Sequence, residues 1–250
     1  MQRTPLSGAH YLSKGFTLVR QPGIKRFVLI PLLINILLLS IATTYAFNWL
    51  DDWYAASSQS DWTIVRWSVE NLGWLIWPLL VIGVFVVVFF AFAFLANWIA
   101  APFNGLLSEA VERKLVGKTY TEDVFNWQSF FKDIPRLMGR EWRKLRYYLP
   151  RALGCLLLFF VIGPLAPIIW FLFNAWMTGI QYIDYPMDNR RAAFSETLAL
   201  VNQKRSGPFG FGALVMLFTM IPVINILIMP VAVAGATALW FDRYSASNEV

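Results

Sequence analysis

The chain has 250 residues, of which 58% are hydrophobic and 17% aromatic but only 14% charged, and its mean hydropathy is +0.54. That balance excludes a soluble domain carrying a single anchor and points to a membrane protein. The net charge is +6, from 21 Lys and Arg against 15 Asp and Glu, and its placement says more than its size.

Residues 5–21 space Leu6, Ala9, Leu12, Phe16 and Val19 at helical intervals, with Lys14 and Arg20 elsewhere on the wheel. This predicts a helix lying in the cytoplasmic interface. Pro22-Gly23 ends it, and Ile24-Lys25-Arg26 opens a long apolar helix over 24–53 in which Pro31 allows a kink. Trp49 and Trp53 mark its outer boundary. The first apolar run starts only at residue 27 and is too long for a signal-peptide core, so no cleavable leader is expected. A second long helix is predicted over 71–116. Its uncharged stretch, 71–108, would extend about 57 Å, so it must tilt, break near Pro102 or continue into the cytoplasm.

The next segment, 128–183, reads as a basic helix running into a hairpin. Lys132, Arg136, Arg140 and Arg143 fall on one helical face, either to gather anions or to anchor on acidic headgroups. The apolar block 152–183 is interrupted by Gly-Pro-Leu-Ala-Pro at 163–167. A polar connecting helix follows over 187–204. A second hairpin spans 207–243, with its turn at Pro222-Val223-Ile224-Asn225. An offset of 58 residues superposes Gly154 on Gly212, Pro164 on Pro222 and Asp184 on Asp242, which fits duplication and chance equally.

Four blocks, 27–50, 71–108, 152–183 and 206–241, carry almost no charge. Between the first two, Arg66 is the single cation beside four carboxylates, whereas 109–151 holds ten Lys and Arg. By the positive-inside tendency, 51–70 faces out, and the N-terminus, 109–151 and 184–205 face the cytoplasm. Both ends of the third block then lie inside. Its first arm, 152–162, is about 16 Å long against a core of ~30 Å. The reading is two re-entrant helical hairpins, with kinked spanning helices as the alternative. The fold class is an all-α integral membrane protein, treated as one membrane domain over 1–250.

Cys155 is the single cysteine and His10 the single histidine, so no internal disulfide can form, and metal or nucleophilic catalysis has little to build on. No Walker A sequence occurs. A non-enzyme without cofactor, metal or nucleic-acid partner is expected.

Two constellations remain. Gly23-Ile24-Lys25-Arg26 opens a helix, where backbone N–H groups, the dipole and two cations suit an oxyanion such as sulfate or phosphate. The competing reading is a positive-inside flank. The second gathers Asn97, Asn104, Glu109 and Arg113 at the end of the second helix, with Glu109 and Arg113 at i, i+4. With Asn35 and Asn225 they could line a polar path or serve as helix–helix glue.

Pro22-Gly23-Ile24-Lys25-Arg26, Ala101-Pro102-Phe103-Asn104-Gly105-Leu106-Leu107-Ser108-Glu109, Ile221-Pro222-Val223-Ile224-Asn225 and Met229-Pro230-Val231-Ala232-Val233-Ala234-Gly235-Ala236-Thr237 together resemble the CysZ-type sulfate permeases of bacterial inner membranes. The resemblance implies two long spanning helices, two half-penetrating hairpins and a homo-oligomer. It also implies uptake of sulfate, with sulfite and thiosulfate as related candidates, for cysteine synthesis. Sulfate would sit at Gly23, Ile24, Lys25 and Arg26. The family's paired arginines are here Lys25 and Arg26, so one planar fork is lost. The permeation path would run by Asn35, Asn97, Asn104, Glu109, Arg113 and Asn225, channel-like or proton-linked through Glu109. A membrane scaffold is the alternative from another class.

Overall fold

The computed structural model describes residues 8–117 and 127–245, every regular element among them a helix. Leu29–Phe103 forms one compact unit and the rest of the described chain the other. Three stretches are long and apolar enough to cross a bilayer: Arg26–Ser58, Thr63–Phe92, and Pro135–Asn189 with its internal turn. The protein is an all-α membrane protein.

In the first unit, α2 (Arg26–Ser58) and the leading part of α3 (Thr63–Leu115) present large apolar side chains such as Leu33, Leu37, Val87 and Phe90 to the outside, as helices solvated by lipid do. At the aromatic end, Tyr54 packs edge-on to Trp77, ring centroids 5.1 Å apart. The expected loop over 51–70 is shorter than its charges suggest. Four residues, 59–62, separate the two helices, because charge marks where a bilayer ends while helical hydrogen bonding continues into water. At its other end α3 runs through Pro102 to Leu115 without a break.

The second unit holds α1 (Gly8–Val19), the end of α3, and α4 (Trp127–Ile162) through α8 (Pro222–Tyr244). A 3-10 turn at Gly163–Leu165 reverses the chain between α4 and α5 (Ala166–Asn189). Gly163 adopts φ 55°, left-handed backbone that a side chain would strain. The arms run antiparallel: Tyr148 meets Phe173, and Arg140 meets Asp184. The connecting segment breaks at 190–193 rather than continuing as one helix from 187. Arg191, at φ 58°, ends α5 with its N–H on the Asp188 carbonyl and that of Ala192 on the Met187 carbonyl. The short α6 (Phe194–Gln203) follows, and α7 (Ser206–Thr219) pairs with α8 as a second hairpin.

Small residues set the spacing between these helices. A Cβ on Gly212 would collide with the Ala175 carbonyl, and one on Gly179 with the Pro208 carbonyl, so α5 and α7 meet backbone to backbone. Gly15 lies likewise on the Val231 carbonyl and the Gly235 backbone, which seats α1 on α8. That contact selects the buried face of α1: Tyr11, Leu12, Gly15 and Leu18. Of the predicted stripe, Leu12 is buried and Val19 half-buried, Ala9 and Phe16 are exposed, and Leu6 lies outside the described residues. Trp240, Phe211, Leu107 and Ile183 complete the core.

Candidate anion site and polar path

The turn before α2 is built from both its ends. The Gln21 carbonyl accepts from the N–H groups of Ile24 and Lys25, both at 3.1 Å, and Gln21 itself donates to the Leu18 carbonyl. Gly23 takes φ 85°, and a Cβ there would meet nothing within 4 Å. Its backbone is therefore open to an approaching ligand. Ile24 and Phe27 are buried in the core, which turns Lys25 outward. Among the described residues Lys25 makes no ion pair, while the Arg26 guanidinium lies over the Phe27 ring at 5.0 Å. Two adjacent cations beside an exposed glycine backbone attract an oxyanion by charge-assisted hydrogen bonds. The side chain of Ile24 is an anchor, and its N–H is already donated.

The end of α3 carries the second constellation. Glu109 accepts two hydrogen bonds from Arg113, at 2.6 and 3.2 Å, and Glu112 accepts from Arg190 at 2.6 Å. Asn104 is buried and donates to the Tyr185 hydroxyl at 3.3 Å, with the Met229 sulfur at 3.6 Å. Four residues on, the buried Ser108 hydroxyl meets that of Thr237 at 2.9 Å. Two of the motifs singled out in the sequence, 101–109 and 229–237, thus pack on each other through a polar seam.

Three path residues remain. Asn225 is exposed in the first turn of α8. Asn35, on α2, has a solvent-shielded side-chain oxygen without a partner among the described residues. Asn97 is on α3, and its side chain lies outside the described residues. Asn35 and Asn97 belong to Leu29–Phe103, and the other four to the second unit.

Sequence reasoning missed one cluster. Arg140 and Asp184 form a buried bidentate pair at 2.6 and 2.8 Å, joined by Lys144 at 2.8 Å and the Thr197 hydroxyl at 2.9 Å. Arg136 pairs with Asp188 beside them. Half of the predicted cationic face is therefore neutralised, Arg140 buried and Arg136 half-buried, leaving Lys132 and Arg143 exposed. The signal was present: Asp184 and Asp188 repeat at i, i+4, as Arg136 and Arg140 do, across a hairpin.

Fold and site define a helical membrane protein with two antiparallel hairpins and a cationic, glycine-opened turn at the start of a long apolar helix. The chain belongs to the family described as Sulfate transporter CysZ/Etoposide-induced protein 2.4, whose model matches residues 11–230. Proteins named Sulfate transporter CysZ from Salmonella typhimurium and from Salmonella enteritidis are each 48% identical to it over 249 residues, which is 98% of this chain and 95% of theirs. The same figures hold for the protein of that name from Salmonella typhi.

Proposed function

We propose that the protein carries sulfate across the bacterial inner membrane for assimilation into cysteine, by a channel-like or facilitated route and not as an enzyme. What carries this reading is the outward Lys25, without an ion pair among the described residues, beside Arg26 on the turn opened by Gly23, in a chain 48% identical over 249 residues to proteins named sulfate transporters. Gly23, Lys25 and Arg26 capture the dianion, and Ile24 holds the turn in the core. Asn35, Asn97, Asn104, Glu109, Arg113 and Asn225 mark the path. Asn104 acts there as a strut for the seam, and Arg113 offsets the Glu109 charge.

The chain works as one membrane domain over 1–250, multi-pass, in a homo-oligomer, with sulfite and thiosulfate as competing substrates. Its hairpins are re-entrant and half-penetrating, a reading supported by α7, which at 14 residues extends about 21 Å and is too short to cross a core of ~30 Å. The outer face of α1, with Ala9 and Phe16, lies in the cytoplasmic interface together with Arg20, which follows the helix and covers the Phe16 ring. The scaffold alternative predicts no flux.

The deciding experiment is radiolabelled sulfate uptake into proteoliposomes, with a Lys25→Ala, Arg26→Ala variant alongside. Saturable uptake that the variant loses supports both permease and site. Uptake that survives moves the site elsewhere, and no uptake by folded protein overturns the permease reading. Proton linkage is tested by Glu109→Gln, which must alter the pH dependence of uptake if Glu109 carries the proton.

A further inference from the structure

A cavity of about 520 Å³ opens among α4, α5, α6 and α7, lined by Tyr147, Trp176, Asn202, Arg205, Ser206 and Phe209. All six belong to the second unit and none to the anion turn. Three aromatic rings form its walls, and a guanidinium, an amide and a hydroxyl supply its donors. Arg205 is exposed and makes no ion pair among the described residues. A second cation, Arg151, lies 3.6 Å over the Tyr147 ring and donates to the Tyr147 carbonyl at 2.7 Å.

The volume matters. At ~30 Å³ of liquid per water it equals the space of roughly seventeen waters, far more than one tetrahedral oxyanion fills. Depth matters too. The cavity lies where the charged segment 184–205 gives way to the apolar arms 152–183 and 206–241. Beyond Tyr147 along α4, Leu153, Leu156 and Leu157 are exposed and apolar, a surface for acyl chains. Amphipathic aromatics with a basic donor at headgroup depth are the chemistry of an anionic lipid site.

We infer that this cavity binds the phosphodiester headgroup of an anionic phospholipid, with Arg205, Asn202 and Ser206 on the phosphate and the three rings around the glycerol. A free phosphate or sulfate shares the tetrahedral oxyanion chemistry but leaves the aromatic walls unused.

The test is native mass spectrometry of the full-length protein in detergent, titrated with phosphatidylglycerol, phosphatidylcholine or inorganic phosphate. Arg205→Gln should weaken the tightest phosphatidylglycerol adduct about tenfold, the loss of one charge-assisted contact, while phosphatidylcholine, whose choline offsets its phosphate and opposes a basic site, should bind more weakly than phosphatidylglycerol to the unsubstituted protein. Arg205→Lys should keep most of the affinity. Arg146→Gln, at an exposed position on α4 outside the cavity lining, should change it less than about twofold. Phosphatidylglycerol binding that survives Arg205→Gln, or falls equally in Arg146→Gln, overturns the inference. So does Arg205-dependent binding of inorganic phosphate with no preference between the two lipids. An intact thermal transition of each variant certifies that it has folded.

Discussion

Removing the Asp184 carboxylate is the sharpest test of how the second unit is held together. Asp184 is 1% exposed and Arg140 7%, so Asp184→Leu takes the bidentate acceptor from a buried guanidinium, which keeps Asp188 at 3.2 Å and the Ala192 carbonyl, and deprives Lys144 and the Thr197 hydroxyl of their shared acceptor. Breaking a buried pair on one side costs roughly 3–5 kcal/mol. At about 2–4 °C per kcal/mol for a chain of this size, the melting temperature should fall on the order of 10 °C. Arg140→Leu leaves the carboxylate with Lys144 as its remaining cation, and costs less. The double variant is the informative one. It removes both charges while Lys144 keeps Glu141 and Arg136 keeps Asp188. Its loss is then the orphaned Ala192 carbonyl and Thr197 hydroxyl, about 1–3 kcal/mol. Thermal unfolding of the four proteins in one detergent reads the cycle. A double variant no more stable than Asp184→Leu, or single losses under about 2 °C, would refute the reasoning.

Three further outcomes follow from the backbone. Gly212→Leu drives a side chain into the Ala175 carbonyl across the α5–α7 contact. Since backbone cannot yield as a rotamer does, it should cost more than the roughly 1–3 kcal/mol of ordinary overpacking, read as loss of monodisperse protein on size exclusion. Arg191→Gly relieves left-handed backbone at the end of α5 at the expense of a loose contact with Asp133 at 3.6 Å. Its melting temperature should rise by about 2–4 °C, the equivalent of ~1 kcal/mol. Gly23→Ala puts a Cβ at φ 85° in open space. Strain of about 1–2 kcal/mol should reshape the turn and lower sulfate uptake with little loss of folded protein, whereas unchanged uptake would separate the turn from anion capture.

The helical class, the long apolar stretches and the turn at 163–165 were legible in residue order because they depend on local causes: uninterrupted apolar runs, and glycine and proline where the helix must stop. The Glu109–Arg113 pair was legible for the same reason, being set by the pitch of one helix. The lengths of the helices beyond the bilayer were not, because charge near Asp51 and Glu70 reports the membrane edge rather than the end of hydrogen bonding. Nor was the fate of the cationic face on α4. A helical wheel places Arg136 and Arg140 together, but only the hairpin brings Asp188 and Asp184 opposite them and turns an apparent surface into a clasp, buried at Arg140–Asp184 and half-buried at Arg136–Asp188. The buried side of α1 depended likewise on Gly15 meeting Gly235, which lies 220 residues away in the chain. Residue order by itself determined which segments prefer lipid and where the chain turns, since those preferences belong to single residues and their neighbours. The tertiary structure alone decided which charges are spent on holding the fold and which, like that of Lys25, stay exposed without an ion pair among the described residues, because pairing is a property of distance in space.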